Sequence, residues 1–220
     1  MPTETSVVGH RTTFTLNDVE IEGNLSVPET ANAIVLFAHG SGSSRFSSRN
    51  NFVAEQLNER GLATFLIDLL TAEEDEIDKI TRELRFDIDL LAERLVGAID
   101  WLSQHTTTKE LEIGLFGAST GAAAALVAET RRPQQVVAVV SRGGRPDLAE
   151  AALSEVKTPT LLIVGGNDIQ VIDLNKRAME QMQSETQLKI VEGASHLFEE
   201  PGALEQVAEL AGEWFESHLP

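Results

Sequence analysis

Leu115-Phe116-Gly117-Ala118-Ser119-Thr120-Gly121 joins an apolar run to an alanine-rich one. The apolar run has the length of a buried strand, and the alanines after it suit a closely packed helix. Between them a serine stands with a glycine two residues to either side. A sharp strand-to-helix turn would expose the Ser119 hydroxyl at the tip. The flanking glycines, which lack Cβ atoms, would let strand and helix cross closely. By itself this spacing is common, so its meaning depends on the rest of the chain.

Working outward, short apolar runs alternate with helical patterns. Residues 13–19 and 21–27 read as two strands, close enough to form an antiparallel hairpin at a sheet edge. Residues 33–38, 63–67 and 136–140 read as strands buried on both faces, and 111–116, 160–164 and 188–191 as further strands. Helical patterns fall at 50–60, at 122–130, along the stripe Val171, Leu174, Ala178 and Met182, and along Leu204–Phe215. Leu84, Ile88, Leu91, Leu95, Ile99 and Leu102 form the apolar face of one long helix, with Trp101 as packing. The acidic segment Glu73, Glu74, Asp75, Glu76 and Asp78 reads as a solvated loop or helix start, inside the only lid candidate, a short stretch from Leu70 to Leu84. This alternation predicts an α/β fold: a mainly parallel sheet of about seven or eight strands flanked by helices, with a minimal cap. One domain is expected over residues 12–218, preceded by a flexible segment 1–11.

Loops at the carboxyl ends of parallel strands line the functional crevice of such a sheet. Three candidate catalytic groups fall on loops of this kind. Ser119 follows one strand, Asp168 follows a later one in Gly165-Gly166-Asn167-Asp168, and His196 follows the last in Gly193-Ala194-Ser195-His196. A serine hydroxyl needs a base to become nucleophilic, and a histidine needs an acid to fix its tautomer. Asp173 lies inside a helical pattern and reads as surface; Asp68 precedes the elbow and reads as a structural carboxylate. The oxyanion formed on attack calls for two backbone N–H donors. Thr120, at the start of the helix, and Ser41, in the loop His39-Gly40-Ser41, are the candidates. His39 reads as a group that holds this loop. Arg142, Arg45 and the hydroxyl of Ser141 lie near the predicted crevice as substrate-binding candidates, with Arg49 and Arg145 nearby.

The 220 residues contain no cysteine and carry a formal charge of −18. Disulfides, cysteine metal sites and a cysteine nucleophile are therefore excluded. The charge argues against nucleic-acid partners and acidic lipid surfaces. No run has transmembrane length or the order of a signal peptide, so a cytoplasmic location is expected. The scattered histidines, together with the missing G-x-G-x-x-G, P-loop and H-E-x-x-H patterns, predict neither cofactor nor metal.

Together, the His39-Gly40 loop, the Gly117–Gly121 elbow, the Gly165–Asp168 acid loop and the Gly193–His196 histidine loop resemble the α/β-hydrolase superfamily and, within it, the dienelactone hydrolase family. The resemblance covers roughly residues 12 to 218. It implies a cofactor-free enzyme with little cap that opens an ester or lactone, including substrates bearing a carboxylate. The name-giving enzymes use cysteine where this chain has Ser119, which shifts the expectation to a serine esterase. Thioester, amide or peptide hydrolysis and acyl transfer would use the same proton transfers, and a binding protein on a hydrolase scaffold is the non-enzymatic alternative. A monomer or homodimer acting on a small molecule is expected.

Overall fold

The computed structural model describes residues 9–219. Its sheet comprises β1 (His10–Leu16), β2 (Val19–Ser26), β3 (Ala33–Ala38), β4 (Ala63–Ile67), β5 (Glu112–Ala118), β6 (Val136–Arg142), β7 (Thr160–Gly165) and β8 (Thr186–Val191). The eight strands lie in the order β1-β2-β4-β3-β5-β6-β7-β8. Strands β3 to β8 pair in parallel, while β2 pairs antiparallel with both β1 and β4. This is the predicted mainly parallel architecture with an edge hairpin.

The helices are α1 (Ser48–Glu59), α2 (Ala72–Thr81), α3 (Ile88–Leu102), α4 (Thr120–Arg131), α5 (Ile169–Met179) and α6 (Ala203–His218). Alternation along the central strands divides the core between two faces. Ile34, Leu36 and Leu115 pack with Leu91, Leu95 and Ile99 of α3 and with the alanines of α4. Val35, Phe37, Phe116 and Val140 pack with Val53 and Leu57 of α1 and with Trp214 and Phe215 of α6. The chain winds one way from β3 to β4 and the other way from β5 onward. The loops after β3 and β5 therefore meet where the strand order reverses, the usual crevice of an open α/β sheet.

Four details differ from the sequence reading. The edge hairpin turns at Asn17 and Asp18, both with positive φ, so β1 ends before residues that had read as strand. Asparagine and aspartate tolerate this left-handed conformation better than most side chains. β1 already begins at His10, inside the segment expected to be flexible; residues 1–8 lie outside the described part. The long helix read from Leu84 is broken at Asp87, whose carboxylate caps α3 by accepting the Leu90 N–H at 3.0 Å, and Leu84–Phe86 forms a separate 3-10 turn. Finally, Pro146–Glu155 forms 3-10 turns kinked at Glu150, where no periodicity had indicated an element.

The acidic segment folds as α2. Thr71 Oγ1 accepts the Glu74 N–H at 3.1 Å, and the Glu74 carboxylate accepts the Thr71 N–H at 2.8 Å. This reciprocal cap, with acids in the first turn, suits the positive end of the helix dipole.

Candidate active site

Ser119 sits between β5 and α4 with φ 52° and ψ −120°, a conformation that side-chain-bearing residues seldom adopt. Several backbone bonds hold it there. Its N–H donates to the Arg142 carbonyl at 3.3 Å, and its own carbonyl accepts from Ala122 at 3.1 Å and Arg145 at 3.0 Å. The flanking glycines are required by contact. A Cβ on Gly117 would lie 2.4 Å from Ala122 Cα, and one on Gly121 would lie 2.4 Å from the Ala38 carbonyl oxygen. Both clashes are with backbone, which cannot move aside as a side chain can.

Asp168 occupies the N-cap position of α5 but makes no capping bond with its side chain. Its carboxylate is instead turned to His196, with Oδ2 at 2.6 Å from the ring Nδ1. In this pairing Nδ1–H donates to the carboxylate, leaving Nε2 free to accept a proton. The two loops are closely joined. Asn167 donates from its backbone N–H to the Ala194 carbonyl at 2.9 Å and from Nδ2 to the Gly193 carbonyl at 2.7 Å. Glu200 accepts the Ser195 N–H at 2.9 Å, and that bond lowers its carboxyl pKa below the ordinary value. Neither Asn167 nor Glu200 stood out in the sequence, although Asn167 adjoins the acid.

The histidine loop also reaches the end of β6, the strand beside the elbow. A Cβ on Gly143 would lie 3.1 Å from the His196 carbonyl oxygen and 3.7 Å from its Cε1. Ser119, Asp168 and His196 thus come from neighbouring loops at one end of the sheet. The His196 side chain is 41% exposed, so this end is open to solvent.

The loop after β3 abuts the elbow: a Cβ on Gly40 would lie 3.0 Å from Ser119 Cβ. Ser41 follows in an exposed turn, and Thr120 opens α4 as a buried residue. His39 anchors this loop. Its Nδ1–H donates to the Gly40 carbonyl at 2.9 Å, and its Nε2 accepts the Leu69 N–H at 3.0 Å. That pairing needs a neutral ring, and burial accordingly pushes the His39 pKa below the ordinary histidine value.

The substrate-binding candidates separate clearly. Arg45 pairs with Asp68 and Glu22, so its charge is already matched by two carboxylates. These three line a cavity of about 700 Å³ between the hairpin and the start of α2, whose lining contains none of Ser119, Asp168 and His196. Arg145 pairs bidentately with Asp147, both bonds at 2.8 Å. Ser141 is fully buried, and its Oγ points at Gly144, where a Cβ would lie 1.9 Å away. Arg142 alone of these is buried with an unpartnered Nη1. Asp173 is exposed on α5. Among the described residues no helix is long and apolar enough to cross a membrane. None of their histidine, aspartate and glutamate side chains cluster in threes as a metal site would need.

A serine elbow between strand and helix, on a sheet of this order with an acid loop and a histidine loop, defines an α/β-hydrolase. The chain belongs to the dienelactone hydrolase family, whose model matches residues 21–217. A dienelactone hydrolase from Anabaena variabilis of known structure is 60% identical, with a TM-score of 0.95 over 96% of this chain and 98% of that one. Est1E from Butyrivibrio proteoclasticus shares the fold at 14% identity, with a TM-score of 0.79 over 95% of this chain and 98% of that one. A curated Mycobacterium tuberculosis protein that carries a phosphoribosyl transferase name is 56% identical over 201 residues, covering 91% of this chain and 44% of its own length. The chain thus spans less than half the length of that relative. The sequence contains no cysteine, and the elbow position is held by Ser119.

Proposed function

We propose that this hydrolase cleaves a small carboxylic ester or lactone through an acyl-Ser119 intermediate. The observation that carries the reading is the 2.6 Å Asp168–His196 pair on the loops beside a serine held at φ 52°. His196 Nε2 takes the Ser119 hydroxyl proton as Oγ adds to the substrate carbonyl carbon. The tetrahedral oxyanion is met by the N–H groups of Ser41 and Thr120. As the carbonyl reforms, the bond to the alkoxide leaving group breaks and the imidazolium returns its proton to that oxygen. A water then repeats the sequence on the acyl-enzyme, giving up a proton to His196 and releasing the carboxylic acid and free Ser119. Asp168 stabilises the imidazolium in both halves without itself taking the proton.

Among the described residues no large lid covers the site, which favours small substrates over long-chain lipids. Labelling with a fluorophosphonate and turnover of a panel of short esters and lactones test the reading. Labelling confined to Ser119, and loss of both signals in Ser119→Ala, are expected. Full turnover by Ser119→Ala would overturn it.

A further inference from the structure

Arg142 ends β6 one residue before Gly143, which touches the histidine loop. Ala138 and Val140 of the same strand face α1 and α6, and alternation puts the Arg142 side chain on that side too. It is 8% exposed, its Nη1 is buried without a partner, and no carboxylate pairs with it among the described residues. The charge nearest in effect is another cation: burial and the neighbouring Arg49 push the Arg142 pKa down to about 10. Arg49 has a buried Nε without a partner, and its Nη1 lies 3.7 Å from Glu199, a carboxylate 66% exposed. The first turn of α1, which carries Arg49, contains no acid.

A buried guanidinium that also feels the charge of a second one is costly unless something supplies negative charge. In a chain of net charge −18, carboxylates were available for that purpose, and Arg45, Arg85, Arg94, Arg132 and Arg145 all have them. Arg142 has none. A single carboxylate would match Arg142 and leave Arg49 only the exposed, solvent-screened Glu199. A phosphate monoester carries about −1.5 to −2 at pH 7 and offers three oxygens to the planar forks of two arginines.

We propose that Arg142 and Arg49 form a subsite for a phosphate monoester group beside Ser119, so that the substrate is an acyl ester bearing a terminal phosphate. This rests on the acyl-serine reading for the reaction but not for the binding. The subsite orients the substrate from its charged end, leaving the ester carbonyl at Ser119.

The test begins with Ser119→Ala, which separates binding from turnover. Inorganic phosphate should raise its melting temperature saturably, with acetate at equal ionic strength binding at least tenfold more weakly. Arg142→Met and Arg49→Gln should each weaken phosphate tenfold or more; Arg49 is one-third exposed, so its replacement keeps the fold even if that of Arg142 does not. In the wild type, esters of equal size ending in phosphate, carboxylate or a neutral group should rank in that order of kcat/KM. The phosphate-to-neutral ratio should fall at least tenfold in each variant. Equal binding of phosphate and acetate, or phosphate binding unchanged in both variants, overturns the subsite. Arginine-dependent phosphate binding with no ester turned over upholds the subsite and sinks the ester reading instead.

Discussion

The carboxylate of Asp168 holds Nδ1 of His196 at 2.6 Å while standing at a helix N-cap whose N–H groups it leaves alone. An aspartate in that position would ordinarily cap the helix. Asp168→Asn keeps the size and removes the charge, and its amide can present an N–H where Nδ1–H needs an acceptor. Turnover should fall roughly a thousand- to ten-thousand-fold. Melting temperature should change little, so kinetics and thermal unfolding on one preparation check both halves.

Gly121→Ala should be far more disruptive than its single methyl suggests. The new Cβ would lie 2.4 Å from the Ala38 carbonyl oxygen and 2.5 Å from that of His39, so α4 or the end of β3 must shift. A loss of about 1–3 kcal/mol is expected from overpacking. Urea unfolding measures it, and a stability equal to wild type would contradict the close approach.

His39 gives a pH dependence with a definite sign. Its folded pKa is depressed by burial, so below about 6.5, the ordinary histidine value, the unfolded chain binds a proton that the folded chain refuses. Stability contributed by the neutral ring is complete above that pH and is lost on acidification toward the folded pKa. Protonation would also turn Nε2 into a donor facing the Leu69 N–H. Unfolding free energy should therefore fall between pH 7.5 and 5.5, and His39→Gln should flatten that slope. Carboxylates with lowered pKa, such as Asp100, act at more acidic pH and leave the window clear.

Arg45→Met should leave Asp68 and Glu22 without their shared cation at the mouth of the β3 loop. Breaking a partly buried pair from one side costs about 1–3 kcal/mol. Hydrolysis of neutral and anionic esters should fall in parallel, since the residue steadies a loop. A change in preference between them would show that Arg45 meets the substrate.

The central parallel strands were legible because both of their faces are buried, which leaves unbroken apolar runs. The order Ser119, Asp168, His196 was legible because each stands in a loop soon after a strand pattern, an unbroken apolar run for the first two and an alternating one in β8 for the third. The turn at Asn17 and Asp18 was not, since threonine, leucine and valine continue the strand composition on either side. Nor was the stop at Asp87, where the apolar spacing from Leu84 carries through the cap. The arginines were indistinguishable in sequence for a different reason. Arg45 meets its carboxylates Glu22 and Asp68 23 residues away in each direction, and only the folded sheet shows that Arg142 lacks any among the described residues.

The elbow and the histidine loop lie on different strands, and β8, which precedes His196, is the outermost strand on its side of the sheet. On the acyl-serine reading, a refolding chain that closes the β5–α4 turn still lacks its base until that last strand docks on β7. Labelling of Ser119 during refolding would then lag behind recovery of helix, and it would act as a clock for the final docking step. Partly folded forms would carry the serine silently, unable to acylate themselves before the sheet is complete.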